Sequence, residues 1–528
     1  MNPAILKKRN LLVFLALALF FSDCRSIPQP RELIAVGDLV AVSEYLDSLI
    51  KAQMREYRIP GMAVTVVHEG KVLFSRLYGK AHDRKDIPLT DGSVFMAGSL
   101  TKSFTALAVT NLIHAGRISP DDDIKTYLPG FSRQSHGKQK RPITVRHLLT
   151  HTSGLPIDYY ARFTGERKYS DEELLSLLSE EYLCFQPGTA VKYSNIGYKL
   201  LGMMVERVSG KSFEEYLQET VLRPVGMTGS GFSQEEVGVT AAGHDGDRGN
   251  EVMSMIDIRD NPSSGLYTTI TDMTSFLRFL SAEEKPSGAF ISGPGAVQSI
   301  IQNADFSIDT FYDGMHIYST GWYLGFYDFP GQKFVLSNSG NVNGFSSELT
   351  YVPKAKLGMA VLSNSSLGWK ADIVIADRGL RAYLRALGMD GANAGKGTDK
   401  KRLSLSPPPQ DVTGKYAAFG FDMNIFKKGD SLRAKFWGPA AYLRSIGKGL
   451  YKGEVCILCA CMNVARVTEY DDLRFGFYTN REGKAFLYLE PSYDDTYFSL
   501  PLHRVRKPDI PKGFSRNYGV WKLTEETG

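Results

Sequence analysis

Residues 95–104 read FMAGSLTKSF, and the fold turns on what Ser99 and Lys102 are doing there. Ser and Lys three apart lie one helical turn from each other and face the same side. That spacing suits a nucleophile beside its base, but it equally suits the polar start of an amphipathic helix. Four residues cannot separate the two readings, so the rest of the chain has to.

At 528 residues the chain is too long for one core, and length alone suggests two or three domains. Its composition, 43% hydrophobic and 23% charged, is that of an ordinary globular protein. The net charge of +5 is small for this length. The basic clusters Lys138–Arg141 and Lys400–Arg402 fall in loop-like sequence, which points to solvated linkers and away from nucleic acid.

The N-terminus predicts export. Lys7, Lys8 and Arg9 precede an apolar run from Leu11 to Phe21, too short to span a bilayer and suited to a signal-peptide core. Phe21-Ser22-Asp23-Cys24 then resembles a bacterial lipobox, with Phe21 and Asp23 departing from the usual residues. Residues 1–24 are therefore expected to be a signal peptide or a lipoprotein signal: lipidation at Cys24 gives a periplasmic or outer-membrane/cell-surface lipoprotein, and ordinary cleavage or an uncleaved anchor is the alternative.

Residues 39–57 carry helical spacing (Leu39, Val42, Leu46, Leu49, Ile50), and GMAVTVVHEGKVLFSRLYG at 61–79 predicts a hairpin turning at Glu69-Gly70. A helix from Phe104 to His114 follows, ended by Gly116. Helical sequence, including Asp171–Glu180 and Tyr198–Val208, runs to about 260. Strand-like runs return in GWYLGF, KFVLSNSG, SSELTYVP and LGMAVLSNS. Strands, a helical insert and strands again describe an α/β (α+β) fold: a sheet flanked by helices and carrying an all-helical lobe, over 35–390. A Gly-, Lys-, Ser- and Pro-rich stretch at 391–410 reads as a linker, and 411–528, with short alternating runs such as KAFLYLEP, reads as an all-β barrel or sandwich.

Two patterns test for metal. His147 and His151 are four apart as in H-E-x-x-H, but the row reads His-Leu-Leu-Thr-His and lacks the general-base Glu. VCILCACMN at 455–463 holds three of the five cysteines, yet the alternation reads as one buried strand with Cys459 and Cys461 on one face and Cys456 on the other. No cofactor is expected, and neither the G-x-S-x-G elbow nor a phosphate loop is present.

Three further stretches answer the opening question: HLLTHTSGLP at 147–156, PGTAVKYSNIGYKLLGMMVERVSGKSFEEYL at 187–217, and LSNSGNVNGFSSELTYVP at 336–353. With FMAGSLTKSF they resemble, in order and spacing, the serine β-lactamase-like family of class C β-lactamases, penicillin-binding proteins, D-amino-acid peptidases and related esterases. LRPVGMTGSGF at 222–232 and SSGLYTTITDMTSFL at 263–277 also match. The resemblance implies an antiparallel sheet of β-lactamase/transpeptidase type, with the active site between sheet and helical lobe. It makes Ser99 the nucleophile, Lys102 its base and Tyr193 the proton shuttle. Asn195 would bind a substrate carbonyl and hold Lys102, and the backbone amides of Ser99 and Asn341 would form the oxyanion hole.

The third motif departs from the family pattern. Where Lys or His usually stands, the row reads Asn338-Ser339-Gly340. The resemblance makes these residues and Asn341 substrate contacts. An Asn donates hydrogen bonds without charge, which weakens the case for carboxylate-bearing substrates and favours ester or amide hydrolysis. On this reading Asn338→His or Asn338→Lys should raise activity on carboxylate-bearing substrates. The rival expectation is a binding or scaffold lipoprotein that kept the fold and lost turnover.

Overall fold

A computed structural model describes residues 34–391, except 135–140, 159–169, 238–240, 255–259, 289–290, 305–316 and 328, and the backbone of strands between 414 and 523. The predicted signal, Cys24 and nearly all of the predicted linker lie outside the described residues.

Helix α1 (Leu39–Glu56) leads into β1 (Gly61–His68) and β2 (Lys71–His82). The predicted turn joins them, with Glu69 and Gly70 at φ +49° and +77°. Two positive φ values in a two-residue loop make a type I′ turn, whose twist matches that of the flanking strands. β3 (Ile87–Pro88) follows, and the sheet resumes with β4 (Ile317–Ser319), β5 (Trp322–Leu324), β6 (Leu336–Val342), β7 (Phe345–Val352) and β8 (Leu357–Ser363). The eight strands lie in the order β3-β2-β1-β8-β7-β6-β5-β4, antiparallel throughout.

Both faces of this sheet are covered, which explains why β1 is apolar almost from end to end. Ala63 and Val67 belong to one core cluster. Met62, Val64 and Val66, which alternate with them, belong to a second cluster shared with α1 and α7 (Gly368–Ala386). The strand β7 shows the same division in polar terms. Ser347 reaches the carbonyl of Ala97 on the lobe side. Ser346 instead donates to Asp372 of α7 at 2.6 Å, and Tyr327 and Thr350 donate to Glu348 at 3.0 and 2.8 Å.

The lobe side holds α2 (Thr101–His114), α3 (Asp171–Glu180), α4 (Asn195–Ser209), α5 (Ile270–Ser281) and α6 (Gly293–Asn303). Helix α2 is buried at every position from Thr101 to Leu112. A helix covered all round has no solvent stripe, so it forms the spine of the lobe rather than its surface. Ser99 sits in the 3-10 turn Gly98–Leu100 that feeds it.

Beyond residue 413 the backbone forms β9 (Gly414–Ala418), β10 (Phe421–Lys428), β11 (Ser431–Lys435), β12 (Ala441–Gly447), β13 (Leu450–Ile457), β14 (Ala460–Asn463), β15 (Asp472–Thr479), β16 (Ala485–Tyr493) and β17 (Leu500–Val505). Their order is β12-β11-β10-β9-β17-β16-β15-β13-β14, and a further pairing of β12 with β13 closes the ring. Of the two all-β arrangements expected, the backbone is a barrel, which leaves its ring strands without a free edge. The cysteine-rich run departs from expectation. It is a hairpin of β13 and β14, with Cys456 and Cys461 at directly opposed positions, while Cys459 lies outside the described residues. The apolar residues run on through Leu458, so the alternation gave no sign of the break.

Candidate active site

The chain reaches Ser99 through a short strand. Phe95 and Met96 pair with Thr268 and Tyr267, and Ala97 donates its amide to Leu266 O at 2.8 Å. Gly98 then turns the backbone with φ +54°, a region that L side chains rarely adopt. Thr101 locks the turn, its hydroxyl donating to Gly98 O at 2.6 Å and accepting from Leu266 N at 3.1 Å.

Lys102 lies one turn further on and is 1% exposed. Its Nζ stands 3.1 Å from Ser99 Oγ and donates to Ser263 O at 2.8 Å. It also lies 4.7 and 5.7 Å from the ring centres of Tyr193 and Tyr198. Burial pulls its pKa down to about 7, against the opposing pull of the Asp260 and Asp158 carboxylates. A large part of the Lys102 population near neutral pH is therefore the free amine, which can accept the Ser99 proton.

Tyr193 completes the trio by donating from its phenol to Ser99 Oγ at 2.7 Å. It sits just before α4, whose N-terminus Ser194 caps by accepting from Gly197 N at 3.0 Å while donating to Pro156 O. Ser99, Lys102 and Tyr193 thus meet although Tyr193 lies 94 and 91 residues from the other two along the chain, and a serine held between an amine and a phenol can be activated as a nucleophile.

Asn195 is at this site too, but it does not hold Lys102. Its Nδ2 donates to Asp158 Oδ2 at 3.1 Å, and its buried Oδ1 has no hydrogen-bond partner. The amine is held instead by the carbonyl of Ser263, in the segment SSGLY. A backbone acceptor leaves no residue signature, so the sequence offered no way to name it.

The β6 residues divide. Asn338 is 3% exposed, and its Nδ2 lies 2.8 Å from Ser103 Oγ, 2.9 Å from Gly321 O and 3.3 Å from Ser99 O. This amide braces the nucleophile turn and α2 against β6. The expectation that it meets substrate is corrected by that placement. Ser339 is half-buried on β6. Asn341 is exposed and its side chain donates to Ser366 O at 3.1 Å, so its backbone amide is what it offers the site.

Gly340 and Gly98 let β6 and the nucleophile turn touch. A Cβ on Gly340 would stand 2.0 Å from Ala97 O and 2.9 Å from Ser99 N; one on Gly98 would stand 3.1 Å from Asn341 N. The two amides assigned to the oxyanion hole therefore lie on either side of this close contact. We expect Gly340→Ala to force the strand and turn apart and to lower kcat about 100-fold or more, since even an ångström of misplacement carries that cost. Steady-state kinetics on the folded variant check this, and unchanged kcat would show that the contact is not needed.

The two histidines of the 147–156 stretch serve locally. His147 Nδ1 accepts from Thr144 N at 3.1 Å in a capping box. His151 Nδ1 accepts from Ser194 N at 3.0 Å, and burial together with the nearby Lys102 holds its pKa well below the ordinary value. No group of three or more His, Cys, Asp or Glu that could hold a metal occurs among the described residues.

Comparisons with known proteins show which family and fold the chain shares. The chain is similar to protein flp of Staphylococcus aureus (strain MRSA252), 26% identical over 329 residues, which cover 61% of this chain and 62% of that protein. It thus spans under two thirds of the length of that curated relative. The octameric penicillin-binding protein homologue from Pyrococcus abyssi has a similar fold, with a TM-score of 0.57 at 24% identity over 87% of this chain and 99% of that one. SurE solved with D-Leu gives a TM-score of 0.58 at 21% identity over 88% and 100%. The model of the Beta-lactamase family matches residues 46–382, well over half of the chain, and the chain therefore belongs to that family.

Proposed function

We propose that this chain is a serine hydrolase that works through an acyl-enzyme on Ser99, taking esters or amides whose acyl group lacks a carboxylate. The observation that carries the reading is the position of Ser99 Oγ, 3.1 Å from a buried amine with a pKa of about 7 and 2.7 Å from the Tyr193 phenol. Ser99 Oγ attacks the substrate carbonyl as its proton passes to Lys102 Nζ. The developing oxyanion takes hydrogen bonds from the amides of Ser99 and Asn341, and such donors are typically worth about 2.7–4 kcal/mol each. The proton then leaves Lys102 by way of Tyr193 to the departing alcohol or amine, and water releases the acyl group in the reverse sense.

The substrate preference rests on β6. The residue in the place of the family's cation is a buried Asn whose amide is already engaged by Ser103, Gly321 and Ser99. A D-amino-acid amide or peptide is the favoured candidate, a choice to which the likeness to SurE solved with D-Leu adds weight. Export and lipid anchoring at Cys24 belong to the same proposal and rest on the sequence of residues 7–24.

The test is a substrate panel of matched esters and D-amino-acid amides with and without a carboxylate on the acyl group. Neutral members should show the higher kcat/KM; a preference for carboxylates would overturn the specificity half of the proposal. Asn338→Lys belongs in the same panel. Because it puts a cation in a buried brace beside Lys102, it should lose at least about tenfold in kcat on every substrate and lower the melting temperature. A selective gain on carboxylates would restore the expectation drawn from sequence.

A further inference from the structure

His151 touches the backbone on both sides of Tyr193 and the phenol ring itself. Its carbonyl accepts from Lys192 N at 2.8 Å. Its Nδ1 accepts from Ser194 N at 3.0 Å. Its ring lies against the Tyr193 ring, centres 4.5 Å apart and planes inclined by 31°. Tyr198 and Tyr318 close the other sides of the imidazole at 5.1 and 4.8 Å. To make these contacts the residue takes φ +56°, in the left-handed region where His, Asn and Asp are the enriched non-glycine residues. A capping turn or a packed core would need none of this in combination. The three contacts share one effect, which is to fix where the Tyr193 phenol points.

We propose that His151 is the positioning residue for Tyr193, holding its phenol on Ser99 Oγ. This rests on the acyl-enzyme reading for its catalytic consequence, but its geometric content stands apart from it. Nδ1 must stay an acceptor for the Ser194 amide, so the ring proton belongs on Nε2. A side chain that offers an acceptor where Nδ1 sits, and tolerates the same backbone, should therefore do most of the work.

Asparagine is that side chain, since its Oδ1 stands in for Nδ1 and it enters the left-handed region readily. Glycine tolerates the backbone but has neither acceptor nor ring. Crystal structures of the two variants decide the geometric claim without reference to activity. Tyr193 Oη should remain in hydrogen-bond range of Ser99 Oγ in His151→Asn and leave it in His151→Gly. Kinetics with a neutral ester add the catalytic arm. His151→Gly should lose about 100-fold in kcat with KM little changed, and His151→Asn should stay within about tenfold of wild type. Should the glycine variant not fold, His151→Gln takes its place, because its longer side chain carries the acceptor away from the Nδ1 position.

Tyr193 holding its contact with Ser99 in His151→Gly, or in the Gln replacement, would overturn the proposal whatever the kinetics show. An inactive wild type would sink the hydrolase reading instead, and the structures would still decide what His151 does.

Discussion

Ser99→Ala will abolish hydrolysis, by about 10³-fold or more in kcat, while the protein keeps its melting temperature within a few degrees. The size of the loss follows from what the other groups can do alone. Without Oγ, Lys102 and Tyr193 have no nucleophile to activate, and any residual rate comes from binding and the oxyanion amides. The stability of the variant follows from the surroundings. Ser99 is half-buried in the middle of the 3-10 turn whose conformation is set by Gly98 and Thr101. Removing one hydroxyl that contacts Lys102 and Tyr193 changes little of that packing. Parallel measurements of turnover and thermal unfolding check both halves. Full turnover by a folded Ser99→Ala protein would move the nucleophile elsewhere.

Lys102→Met should do something less expected: abolish activity and stabilise the fold. Lys102 is 1% exposed, and burial pulls its pKa from 10.5 to about 7. The folded pKa lies below the unfolded one, so between about pH 7 and 10.5 the unfolded chain holds a proton that the native one has released. Stability therefore rises with pH across that window, and at neutral pH the buried amine costs about 4 kcal/mol. Methionine removes that cost but leaves Ser263 O without its donor, worth about 1–3 kcal/mol. The net gain should be about 1–3 kcal/mol at pH 7, shrinking as the pH rises toward 10.5. Loss of the general base should lower kcat by about 10²–10⁴-fold. Chemical denaturation at pH 7 and at pH 10 checks the sign, and a variant less stable than wild type at pH 7 would contradict it. In the wild type the same pKa gives kcat/KM an acid limb with its midpoint near pH 7.

The sheet was readable because its strands left local marks, whereas Ser99, Lys102 and Tyr193 were singled out by the resemblance of their motifs to the family. Ser99 and Lys102 share a helical face, and the Glu69-Gly70 turn and the apolar β1 strand carry their own periodicity. The partners that refine the site left none. Ser263 acts through a carbonyl. Asp158 meets Asn195 from a loop, and Asn338 has the residue type of a ligand but a buried placement that spends its amide on Ser103, Gly321 and Ser99. Residue type says what a side chain can bind, and only the packing of β6 against α2 says which way it faces. His151 stands out in the sequence only through its spacing from His147, and the role proposed for it depends on a left-handed backbone that no spacing rule reveals.

The most direct test of the central claim is intact-mass spectrometry after treatment with a fluorophosphonate, with wild type and Ser99→Ala side by side. One adduct on the wild type, mapped to Ser99 and forming faster as the pH rises through about 7, is the predicted result. No adduct on a folded wild type, or an equal adduct on Ser99→Ala, would contradict it and favour a binding protein that has kept the fold without the chemistry.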